Sequence, residues 1–317
     1  MDPISHALLG RVLAKTRADV PPRGCVAAAV LGALSPDLDF ALAPIGWDRY
    51  LAFHLTGTHT LVASPILALG TAGLVRLFAR NVAIRPLAVS AWFGVVIGHL
   101  AFDLVSGSDM ELFAPFSSMR LALHLIGMAD LLAVTVLLAG TVAMRWRPRT
   151  AAAATLVILL TMLGVKAVSQ RRALTLAHVS LAAAGLPAQL GHPEAVNGSL
   201  TRWQIFGRVG ATVRAWRIDA ASGELRLDYS TDMASGPLVE ASTRADVVRR
   251  FLAVADLPFA TIETTAAGTL VVWSDIRYCD AVSCALTFGV AFDAAGTPLR
   301  QIIRIGPIEQ TRPMTPK

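Results

Sequence analysis

The chain has 317 residues, 54% hydrophobic and 16% charged, with a formal net charge of +6. A mean hydropathy of +0.57 excludes an ordinary water-soluble protein and points to one that resides in a membrane. The basic excess lies in residues 1 to 198, with 15 Lys and Arg against 10 acids; the rest holds 13 against 12. No nucleic-acid-binding motif accompanies it, so membrane lipids are the expected partners and nucleic acid is not.

In chain order, residues 4 to 16 predict a short helix. The stretch ISHALLG is too short for the apolar core of a cleavable signal peptide, so the first span is expected to direct insertion itself. Five segments of about twenty residues are predicted to span a bilayer: 24–43, 60–79, 86–106, 121–143 and 150–168. Pro86 suits the first turn of the third, and Arg145, Arg147, Pro148 and Arg149 stop the fourth. Gly94, Gly98 and Gly107 would permit close helix approach. Trp47, Trp92, Trp146 and Tyr50 read as interfacial anchors.

The amino-terminal 23 residues hold four basic residues, and connections 76–86 and 144–150 hold three each. The alternate connections, 44–59 and 107–120, hold one each, Arg49 and Arg120. The positive-inside rule then puts the latter pair outside, which in a bacterium is the periplasm. Five spans carry the tail outside too, where Cys279 and Cys284 can close a small disulfide or remain two buried thiols.

The tail alternates in ATVRAWRID, turns at AASG and resumes in ELRLDYS, a hairpin pattern. TRADVVRRFLAVAD has helical spacing, with Thr243 as its cap, and TLVVWSDIRY, CALTFGVAFD and PLRQIIRI predict strands. The predicted architecture is an α-helical polytopic bundle over residues 1–169, a linker over 170–198 and a small α+β extramembrane domain over 199–317.

Ionisable side chains in or near apolar spans mark functional sites because they are costly without partners. Here they are His6, Asp37, Asp39, His54, His59, His99 and Asp103. His99 and Asp103 lie four apart on one helical face, and Asp37, Asp39, His54 and His59 fall near the same membrane boundary. Gathering so many such groups calls for a bound cation. Imidazole with carboxylate suits zinc, and also manganese or iron; without thiolates an open catalytic site fits better than a closed structural one. His6 sits on the inner side in the simple topology, so either its helix re-enters the bundle or it is not a ligand. His124 and Asp130 are candidates for orienting a ligand from behind.

DPISHALLG, LGALSPDLDF, HLTGTHTL, GHLAFDLVSGS and ELFAPFSSMR, in that order across residues 2 to 120, resemble the YdjM-like family of membrane-bound metal-dependent hydrolases. The resemblance implies all seven residues, His6 included, as metal-site positions. One departure is Leu55, where the family has an arginine, so contacts of that arginine with an anionic substrate are not carried over. The HxxxD element is also remotely similar to the zinc-dependent phospholipase C superfamily, which implies phosphoester hydrolysis.

The expected function is therefore hydrolysis of a lipid or lipid-linked ester or phosphoester by metal-activated water, with Asp39 or Asp103 accepting a proton. Two rivals are a cation transporter, which lacks the paired inverted repeats of that class, and a scaffold with a structural metal.

Overall fold

The computed structural model describes residues 2–16, 21–107, 109–186, 189–265 and 268–314. Arg17 of the basic amino-terminal segment and Ser108, which closes GHLAFDLVSGS, lie outside them. The chain divides into a helical unit, Met1–Ala43, Phe53–Arg172 and Glu194–Arg202, and a second unit, Pro44–Ala52, Ala173–Pro193 and Trp203–Lys317.

The helices are α1 (Pro3–Thr16), α2 (Cys25–Leu34), α3 (Trp47–Thr56), α4 (Ser64–Phe78), α5 (Ile84–Phe93), α6 (Ala101–Val105), α7 (Leu131–Ala143) and α8 (Pro148–Ala183). A 3₁₀ segment, Pro36–Ile45, follows α2, and a π-helical stretch, Gly94–Leu100, joins α5 to α6. Among the described residues three helical stretches are long and apolar enough to cross a membrane: Cys25–Ile45, Ile84–Val105 and Pro148–Ala183. The predicted spans 60–79 and 121–143 correspond to shorter apolar helices, α4 and α7.

The reason is local. Residues 121–126 spend backbone bonds on another segment, with Leu123 N–H donating to Leu104 C=O and Leu125 N–H to Val105 C=O. Helix α7 begins only where the Asp130 carboxylate accepts the Leu132 and Ala133 N–H groups. At 36 residues α8 is about 54 Å long, so it outruns a hydrocarbon core of about 30 Å and takes up residues 170–183 of the predicted linker.

Helix α1 packs antiparallel to α2: Gly10 meets Ala29 and Ala33, whereas Ala14 lies by Cys25. The amino terminus therefore sits at the end of the bundle holding residues 123–130, where Asp2 N–H donates to Met128 C=O. Of the two alternatives for His6, this is the one in which its helix packs into the bundle beside Asp103.

Small residues bring these helices together. A Cβ on Gly94 would collide with the backbone of Ala29, and one on Gly32 with that of Ala91. One apolar cluster gathers Ala28, Ala72, Leu87, Ala91 and Leu100; another gathers Leu9, Val12, Phe102, Leu137 and Leu159. Inside the bundle Lys166 and Asp130, both fully buried, pair at 2.7 Å. Asp130 is thus a helix cap and counter-ion.

In the second unit one sheet runs β1-β3-β4-β5, with β1 at Gln189–Leu190, β3 at Arg202–Val209, β4 at Thr212–Asp219 and β5 at Leu225–Asp232; the two-residue β2, Glu194–Ala195, belongs to the helical unit. The other is an antiparallel meander of β6 (Pro258–Thr265), β7 (Gly268–Asp275), β8 (Leu286–Phe292), β9 (Pro298–Ile305) and β10 (Ile308–Pro313). Two short helices, α9 (Pro237–Ser242) and α10 (Asp246–Val254), accompany them, and α10 buries Val247, Val248 and Phe251 against Phe288 and Val290. Thr243 is not the cap of α10, since its hydroxyl bonds back to Glu240 C=O; the Gln301 side chain accepts the Val247 N–H instead. Cys279 and Cys284 are disulfide-bonded. Trp47 and Leu51 of α3 pack on the α10 cluster, so Trp47 is a packing residue.

Because Gly94 admits the Ala29 backbone, Gly94→Ala should lower stability in detergent by about 1–3 kcal/mol through overpacking. Gly70 of α4, with nothing within 4 Å of a Cβ, is the control, and Gly70→Ala should be neutral or stabilising in the same unfolding titration.

Candidate metal centre

The site forms where α2 ends. Pro36 opens the 3₁₀ segment, whose three residues per turn point Asp37 and Asp39 in different directions. Asp37 Oδ1 lies 3.5 Å from His59 Nε2 and 3.6 Å from His99 Nε2. Asp39 faces His54 Nδ1, at 3.1 and 3.2 Å from its two oxygens. His99 sits on the π-helical stretch and Asp103 in α6, and their Nε2 and Oδ2 atoms are 3.2 Å apart. A π turn inside an α-helix is a frequent mark of a functional site.

The hydrogen bonds fix the tautomers. His6 Nδ1 lies 2.9 Å from Gly98 C=O and His99 Nδ1 2.6 Å from Ala33 C=O. A carbonyl only accepts, so both Nδ1 atoms carry the proton and each neutral ring presents a bare Nε2. Thr58 repeats the device for His59. Its hydroxyl donates to the Asp39 carboxylate, so it can only accept from His59 Nδ1, 3.1 Å away.

Three bare Nε2 atoms then converge on one carboxylate. Asp103 lies 3.3 Å from His6 Nε2, 3.2 Å from His99 Nε2 and 3.5 Å from His59 Nε2. His59 and His99 Nε2 are 2.8 Å apart, and His6 Nε2 is buried without a hydrogen bond. Acceptors facing acceptors at 0–2% exposure repel unless protons or a cation lie between them. Burial opposes charge on His59, but hydrogen bonding to Asp103 and Asp37 outweighs it and raises the imidazole pKa to about 9.

The donor set fits a divalent cation. Three overlapping groups have ligand atoms close enough for one ion: His6, His99 and Asp103; Asp37, His59 and His99; Asp39, His54 and His59. His59 and His99 are each shared by two groups. All seven candidates from the sequence are therefore gathered, His6 among them. Asp37 and His54, with side chains 25% and 19% exposed, form the open side.

A family model described as YdjM inner membrane protein matches residues 1–173. The chain belongs to this family. Comparison with curated proteins and with solved structures finds no match. The region matched by the YdjM model holds every residue of the three groups.

His124 and Asp130 are in none of these groups. Asp130 is committed to Lys166 and the α7 cap. His124, in left-handed backbone conformation at φ 53°, lies 3.6 Å from Asp109 and 3.9 Å from Glu194. Reading the sequence missed Thr58, although a hydroxyl directly before a ligand histidine in GTHTL is the available signal. It also missed Lys166, a lone cation in an apolar run.

Protons and metal compete for the same Nε2 atoms. Because Asp103 and Asp37 raise the His59 pKa to about 9, a cation binding there at neutral pH should displace a proton. Affinity for zinc should tighten between pH 6 and 8, by up to about tenfold per unit for each proton displaced. Titration calorimetry in two buffers of different ionisation enthalpy counts the protons released.

Proposed function

We propose that this YdjM family member is a membrane-bound, metal-dependent hydrolase acting on a lipid or lipid-linked ester or phosphoester. The observation that carries the reading is the convergence of the His6, His59 and His99 Nε2 atoms on Asp103, a cradle that repels itself unless protons or a cation lie within it. Nitrogen and oxygen ligands without thiolate favour zinc, with manganese or iron as alternatives. The chemistry a divalent cation supplies when bound is a lowered pKa for water and polarisation of a phosphoryl or carbonyl oxygen.

The protein's own residues would do the rest. His6, His99 and Asp103, fully buried, hold the deep end. Asp39 sits beside the open side, with His54 and Thr58 donating to it, and is better placed than Asp103 to take a proton from water and pass it outward through His54. Exposed apolar side chains near the opening, Leu38 and Phe40 at 71% and 55%, suit an amphiphilic substrate in a leaflet.

We read five crossings, with the site and the second unit on the outer, periplasmic side of the inner membrane. Three observations support this. Helix α2 and the Ile84–Val105 helix both reach the site at their carboxyl-terminal ends, so α4 must carry the chain back between them. Helix α8 ends on that side too, where Gln170 donates to Leu123 C=O, so α7 returns likewise. Residues 44–52 share a compact unit with the tail, which favours their lying on one side of a bilayer.

Purified full-length protein in detergent should hold divalent metal in stoichiometric amount and turn over a lipid phosphoester. His99→Ala and Asp103→Ala should each lose the metal and lower turnover at least about 100-fold with the helical circular dichroism retained. Wild type without stoichiometric metal, or mutants with full turnover, would contradict the assignment.

A further inference from the structure

In the helical unit, residues 111–120 form a loop whose ends are tied together: Met110 N–H donates to Leu121 C=O at 3.3 Å and Leu121 N–H to Met110 C=O at 3.0 Å. In such an antiparallel bridge the next residues along, Glu111 and Arg120, also stand opposite each other. Arg120 Nε lies 3.9 Å from Glu111 Oε1, and the two side chains are 25% and 18% exposed. A close charge-assisted contact is about 2.7–2.9 Å, so a phosphate can take the place of Glu111 without breaking a tight hydrogen bond.

The loop is strapped to the segment that carries two of the candidate ligands. Glu111 N–H donates to Leu55 C=O, the residue after His54, at 3.1 Å, and Leu61 N–H, two residues beyond His59, donates to Leu112 C=O at 3.0 Å. The Glu111–Arg120 pair is thereby held beside the segment whose His54 lies on the open side of the centre. All of these residues belong to the helical unit.

Charge singles out Arg120. Residues 35–43, 53–63 and 94–130 supply every candidate ligand except His6, and in sequence they hold six acids and one Lys or Arg, which is Arg120. An anionic group approaching the centre therefore meets carboxylates, and beyond the cation itself Arg120 is the positive charge those segments offer it. A guanidinium presents paired donors that match a phosphate. The same loop exposes Phe116 and Met119, at 85% and 54%, apolar surface suited to the chain region of a lipid.

We propose that Arg120 is a specificity-determining residue that binds the anionic phosphate of a lipid phosphoester, with Glu111 holding the guanidinium in place until that phosphate displaces it. This rests on the hydrolase reading above and narrows its substrate from esters in general to lipids with a negatively charged phosphate.

The test uses the full chain in detergent, with dihexanoyl phosphatidic acid as the anionic probe and dihexanoylglycerol as its uncharged counterpart, each titrated against zinc-loaded and metal-free protein. Arg120→Gln should weaken binding of the phosphatidic acid at least about tenfold, the size expected for a lost charge-assisted hydrogen bond, and change binding of the glyceride less than about twofold. Glu111→Gln, which removes the competing carboxylate, should bind the phosphatidic acid as tightly as wild type or up to about fivefold more tightly, in line with a partly exposed ion pair. Arg120→Lys keeps the charge without the paired donors and should fall between wild type and Arg120→Gln. It and Glu111→Gln carry the test if Arg120→Gln does not fold. No binding of the phosphatidic acid by wild type, an equal loss for both lipids in the Arg120 variants, or a loss in Glu111→Gln that matches theirs would overturn the proposal, the last because the pair would then only close the loop. If wild type takes up no zinc, the metal reading fails, and the metal-free titrations still decide whether Arg120 binds phosphate.

Discussion

At the centre of the helical unit, hydrogen-bond acceptors point at one another. Backbone carbonyls of Gly98 and Ala33 take the Nδ1 protons of His6 and His99, and the Thr58 hydroxyl, turned toward Asp39, takes that of His59. Each ring is left aiming a lone pair at Asp103 from within 3.5 Å. In a buried setting this costs far more than in water, and no rearrangement of hydrogens among neutral rings relieves it. Charge of the opposite sign does, either as protons or as a metal cation. The backbone contacts that enforce the tautomers are the same kind that orient ligand histidines in metal sites generally.

That centre depends on how closely the helices approach. Gly32 and Gly94 let α2 and the Ile84–Val105 helix touch through backbone, which brings the carboxyl end of one, with Asp37 and Asp39, beside the other, with His99 and Asp103. Antiparallel α1 adds His6 from the same end. The Lys166–Asp130 pair fixes the start of α7 against α8. A charged pair there is retained at a desolvation cost, and the cap on Leu132 and Ala133 offsets part of it.

Much of the candidate metal centre was legible in the residues. Histidines and aspartates set into apolar runs have few physical excuses, and all seven are brought together. His6 was ambiguous because charge counting addresses loops, whereas the placement of α1 is decided by Gly10 packing on Ala29. The stretch 121–130 misled because hydropathy cannot distinguish an apolar helix from an apolar strand-like segment paired with residues 104–106. Trp47 read as an anchor because aromatic residues near a span usually are; its packing on a domain about 200 residues away in sequence is a tertiary fact. In the tail, hairpin alternation and the α10 periodicity were visible, but β3, β6 and β10 were not. Pro258 and Pro313 at strand ends, and the polar alternation of Ile308–Pro313, look like loop in sequence and become strand by pairing.

The central claim concerns the imidazoles. X-ray absorption at the zinc edge of the zinc-loaded protein examines it most directly. The account predicts a first shell of nitrogen and oxygen at about 2.0–2.2 Å with the multiple-scattering pattern of several histidines and no sulfur. A shell of water oxygens alone, or one containing sulfur near 2.3 Å, would contradict it.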